Sequence, residues 1–97
     1  MANLFLYFTK AEIETRKRIK LSVAAYAYEY ESDSIMSDAE FDALAKTVDL
    51  SIDTSRPDID EFFRTHFHTD TGMWIGSHPQ LGRIAEIYHA HYASQRR

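Results

Sequence analysis

Two capping boxes constrain this chain more than any other feature: Thr9 is followed three residues later by Glu12, and Ser37 by Glu40 in the same way. In such a pair the hydroxyl accepts from the third helical N–H, and the carboxylate accepts from the capping residue's own N–H. Two helix starts are therefore written into the sequence. Between them Ser32-Asp33-Ser34 offers side chains that compete for backbone hydrogen bonds and should break a helix. The first helix should carry a stripe of Ile19, Val23, Tyr26 and Tyr30, with Ala24, Ala25 and Ala27 allowing a neighbour to approach closely. The second should run from Asp38 to about Thr47, with Phe41, Leu44, Ala45 and Val48 on one face and Asp38 and Asp42 together on another.

Further along, residues 49–56 read as a loop, and Pro57 pre-sets the first turn of a third helix with Ser55 as its cap. Ile59, Phe62, Phe63 and Phe67 form the apolar face of that helix, and a turn at 68–72 leads to a short apolar plug, Met73-Trp74-Ile75. Ser77 and Pro79 mark the start of a last helix with Leu81, Ile84, Ala85, Tyr88 and Tyr92 on one stripe. Three glycines and two prolines in 97 residues suit helices better than a many-turned β fold. The expectation is a small all-α domain of four helices built on a helical hairpin, spanning residues 1–97, with residues 2–8 as a short strand or extended arm.

The stretch Tyr26-Ala27-Tyr28, a short connector, then Ser37-Asp38-Ala39-Glu40-Phe41-Asp42-Ala43-Leu44 resembles the N-terminal helical segment of NAD-dependent DNA ligases, over about residues 16–48. In that family the segment grips the nicotinamide mononucleotide half of NAD. The resemblance implies ligand-binding roles for Tyr28, Asp38 and Asp42: an aromatic ring to cover the pyridinium, and carboxylates to accept ribose hydroxyls and match the ring's positive charge. Two positions depart from the family: Glu29 stands in place of its histidine, and Phe41 in place of its tyrosine. Each change removes a polar contact worth about 1 kcal/mol at a buried site. The family's adenylated lysine lies in a Lys-x-Asp-Gly motif, and none of Lys10, Lys17, Lys20 or Lys46 begins one. The chain is therefore expected to be no enzyme but a free-standing binding module, of a kind found among phage-type accessory proteins.

Other candidate chemistry is thinner. His66, His68, His78, His89 and His91 lie in the last third, but His89 and His91 are two apart on a helix and point to opposite sides, so no metal site is expected. The run Arg16-Lys17-Arg18 with Lys20 spreads around a helix; Glu12 and Glu14 precede Arg16 and Arg18 by four, and a solvated, paired face is the expectation. A formal net charge of −4 argues against nucleic-acid binding by the domain as a whole. The apolar run at Leu4, Phe5, Tyr7 and Phe8 is too short to span a membrane and is the candidate surface for a protein partner or a homodimer. With no cysteine, a reducing, cytoplasmic setting is expected for what reads as a complete protein. No cofactor is required. The functional expectation is a binding module acting through a protein partner; the alternatives are a nicotinamide nucleotide (NMN or NAD) binder and a nucleic-acid-associated factor using the Arg16–Lys20 collar.

Overall fold

A computed structural model describes residues 9–93. The element order is α1 (Lys10–Glu31), α2 (Asp38–Ala45), α3 (Pro57–His66), a 3-10 turn (Met73–Ser77) and α4 (Leu81–His91). The chain is all-α, as the sequence predicts. The arm at 2–8, with Leu4, Phe5, Tyr7 and Phe8, lies outside the described residues.

Both capping boxes form. Thr9 and Ser37 each accept from the N–H of the glutamate three residues on, at 3.1 Å, and each glutamate accepts from the cap's N–H at 3.0 Å. The backbone hydrogen bond from Ser37 holds the Glu40 carboxyl below its usual range. α1 ends where the serine-rich break was expected: Ser32 turns into the left-handed region at φ 51°, and Asp33 N–H returns to the Ala27 carbonyl at 3.0 Å.

α1 is the spine against which α4, the 3-10 turn and α2 all pack. Its seven consecutive buried residues, 21–27, exceed any single amphipathic stripe because neighbours cover it on several sides. The predicted stripe holds only in its middle: Val23 and Tyr26 are buried, whereas Ile19 and Tyr30 are exposed. The alanines do admit a close neighbour. A Cβ placed on Gly72 would stand 3.0 Å from Ala25 Cβ, so backbone meets α1 there with no side chain between. Around this spine Leu21, Phe62, Phe63, Trp74, Ile75, Ile84 and Tyr88 make one hydrophobic cluster. Tyr88 Oη donates to Asp33 at 2.7 Å, tying α4 to the break after α1.

Three local expectations are corrected. The cap of α3 is Arg56, not Ser55; Ser55 sits at φ 66° with its N–H given to Asp53, and no side chain caps the helix. Of the apolar plug, Trp74 and Ile75 are buried but Met73 is 73% exposed, because a 3-10 turn cannot bury three successive side chains on one side. α2 stops at Ala45, two residues early, when Thr47 folds its hydroxyl onto the Leu44 carbonyl.

Candidate functional site

A cavity of about 430 Å³ opens between α1, the connector at 34–36, the start of α2 and the loop at 69–72. Its volume falls in the range of small-molecule sites. The space exists because α1 presents Ala24 and Ala25 to it, side chains too short to fill the gap that Phe41 leaves. Tyr28, Asp38 and Asp42 all line this one cavity, so the three residues singled out in the sequence are brought together. They reach it from two helices. Tyr28 stands one turn beyond Ala24 on α1, and Asp38 and Asp42 share a face of α2 because they are four apart.

The charge of the cavity is one-sided. Glu29, Asp38, Asp42 and Asp70 line it, and no lysine or arginine does. Glu29 thus adds a carboxylate to the same space, and Phe41 adds an apolar wall. Sequence reasoning did not place Asp70 in this cleft; its loop lies against α1 at the close approach of Gly72 to Ala25. Asp42 already holds one cation: Lys46 Nζ lies 3.0 Å from its Oδ2, with both side chains about half exposed. That hydrogen bond raises the Lys46 pKa, with the Asp42 charge acting the same way. Tyr28 is 63% exposed, so its ring forms the rim. Among the described residues no three His, Asp or Glu side chains are placed to hold a metal ion.

The basic collar is the largest correction to the sequence. Arg18 is not solvated but 2% exposed. Its Nε donates to Glu14 at 2.9 Å, one terminal nitrogen to Asp60 at 2.8 Å and the other to the Asp49 carbonyl at 2.8 Å, while the guanidinium lies 5.3 Å from the Phe63 ring centre. Lys17 is likewise turned inward, donating to Glu14 and to the Thr47 carbonyl. The collar expected to be a solvated face therefore loses two of its cations to internal bonds. Burial pushes the Asp60 carboxyl up, but hydrogen bonds from Thr54 and the charge and hydrogen bond of Arg18 outweigh it and hold the carboxyl below its usual range. His78 is buried against Phe62 and Phe63, and that burial pushes its pKa down to about 4, leaving a neutral ring.

No family model, curated protein or solved structure matches the chain. No helix among the described residues is long and apolar enough to cross a membrane.

Proposed function

We propose that this chain is a small non-catalytic binding module whose acidic cleft receives the cationic half of a nicotinamide nucleotide. The observation that carries this is the convergence of Tyr28, Asp38 and Asp42 on one cavity of about 430 Å³ that has four carboxylates and no cation in its lining. The pyridinium ring lies against Tyr28 and Phe41, where its charge meets aromatic faces. Asp38 and Asp42 accept the ribose hydroxyls. A phosphate is repelled by the acidic lining and stays at the mouth, so affinity falls from the riboside to the mononucleotide. The dispersed carboxylates suit a delocalised organic cation and not a metal ion. The lack of cysteine fits a reducing, cytoplasmic setting for such a ligand.

Isothermal calorimetry with nicotinamide mononucleotide and NAD, on the protein and on the Asp38→Ala, Asp42→Ala variant, tests the proposal. Saturable heat that the double variant loses supports it; no heat at millimolar ligand overturns it. A second reading, docking of a protein partner or a second copy, is favoured by the exposure of Tyr28, Tyr30 and Met73. Light scattering across a concentration series checks the self-association arm, and a constant monomer mass removes it.

A further inference from the structure

A second cavity, of about 100 Å³, lies on the other side of the core between α1 and the N-terminal ends of α3 and α4. Its charge is the reverse of the first. Arg18, Arg56 and Arg83 line it, and no aspartate or glutamate does, in a chain whose net charge is −4. Arg18 is fully engaged by Glu14, Asp60 and the Asp49 carbonyl. Arg56 and Arg83 are exposed, and their guanidinium groups have no ion-pair or hydrogen-bond partner among the described residues. The inner wall is apolar: Phe63 and Ile84 are buried, and Ile19, Ile59 and Ile87 complete it.

Two further features favour an anion at the arginine end. Arg56 and Gln80 are the N-caps of α3 and α4, neither helix has a side-chain cap, and both residues line this cavity. The ring of His78, more than nine-tenths buried, also lines it. Its Nδ1 accepts from Gln80 N–H at 2.9 Å, so the ring proton is on Nε2, which has no partner among the described residues. Asp58 is the opposing charge at this end; its Oδ2 accepts from Gln80 Nε2 at 3.4 Å, and it is outnumbered by the two arginines.

We propose that this cavity binds a short-chain monocarboxylate, its alkyl tail among Ile19, Ile59, Phe63 and Ile84 and its carboxylate held by Arg56 and Arg83. The volume limits the tail. An apolar cavity of roughly 150 Å³ admits benzene, so one of about 100 Å³ takes a chain of a few carbons. Planar guanidinium groups match a carboxylate in a way a point charge does not.

The test is a backbone amide NMR titration with sodium pentanoate, alongside 1-pentanol as the uncharged tail and acetate as the tailless charge. Saturable shifts at Ile59, Gln80 and Ile84 are expected with pentanoate, at least about tenfold weaker with either control. The Arg56→Gln, Arg83→Gln variant keeps its fold, since neither side chain supports another residue, and should weaken pentanoate by a similar factor. Circular dichroism of the variant checks that fold. No saturation at tens of millimolar overturns the proposal. So does pentanol binding as well as pentanoate, which leaves an apolar hole only, or a variant that binds unchanged. Shifts confined to α2 would assign the ligand to the other cleft and equally overturn it.

Discussion

Replacing Arg18 with methionine should cost more stability than any other surface-type substitution in the basic run. The methionine fills most of the volume but donates nothing. Asp60 then keeps only the neutral donors of Thr54, while Glu14 keeps Lys17 and the Asp49 N–H. The Asp49 carbonyl loses its partner as well. Breaking a buried ion pair in this one-sided way costs about 3–5 kcal/mol, because a buried charge is left uncompensated. A domain of this size has about 5–15 kcal/mol in total, so the midpoint should fall by roughly 15–30 °C. The loss also depends on pH with a defined sign. In the native chain Asp60 has a lowered pKa, so its contribution is present above the ordinary carboxylate range and is lost as pH falls through the folded value. In the variant the Thr54 hydrogen bonds remain but the arginine does not, so the Asp60 pKa rises from its native value and the gap between the two proteins narrows as pH falls through the carboxylate range. Urea unfolding followed by far-UV circular dichroism at pH 7 and pH 5 measures both effects. A loss under about 1 kcal/mol at pH 7, or a gap that widens at pH 5, would refute the reasoning.

Gly82→Ala should stabilise α4 by about 0.5–1 kcal/mol, because a Cβ there meets nothing within 4 Å; a thermal melt reads it. Gly72→Ala should destabilise by about 1–3 kcal/mol, since the new Cβ would crowd Ala25 at 3.0 Å, and it should also weaken ligand binding in the adjoining cleft. Buried neutral His78, with its pKa pushed to about 4, gives stability that is complete above the unfolded value near 6.5 and lost as pH falls towards 4; His78→Gln should flatten melting temperature between those limits. Lys46→Gln should raise affinity for a cationic ligand by less than about tenfold, by releasing Asp42, and calorimetry against the native chain checks it.

Local rules carried the starts of α1 and α2 and the break between them, because each depends on side chains within a few residues of the backbone they cap. Asp38 and Asp42 could be paired in advance because they are four apart on one helix; Tyr28 was joined to them only by the resemblance to the ligase segment. Arg18 could not be placed. Its Glu14 partner is local and was visible, but Asp60 and the Asp49 carbonyl lie on segments far along the chain, and a basic run looks solvated until those partners are known. Asp70 in the acidic cleft, and Arg56, His78 and Arg83 around the second cavity, were illegible for the same reason. Their meeting depends on how α3, the 3-10 turn and α4 fold back over α1. The failed Ser55 cap has a local cause: Asp53 takes the Ser55 N–H and turns that residue left-handed, which moves the cap one place on.

The central claim, that the cleft beside Tyr28, Asp38 and Asp42 selects positive charge on an aromatic ring, is tested most directly by calorimetry with nicotinamide riboside and with its reduced dihydro form. The two share size and hydroxyls and differ in the charge of the ring. The account predicts saturable binding of the oxidised riboside at least about tenfold tighter than of the reduced one. Equal affinities, or no binding of either, would contradict it.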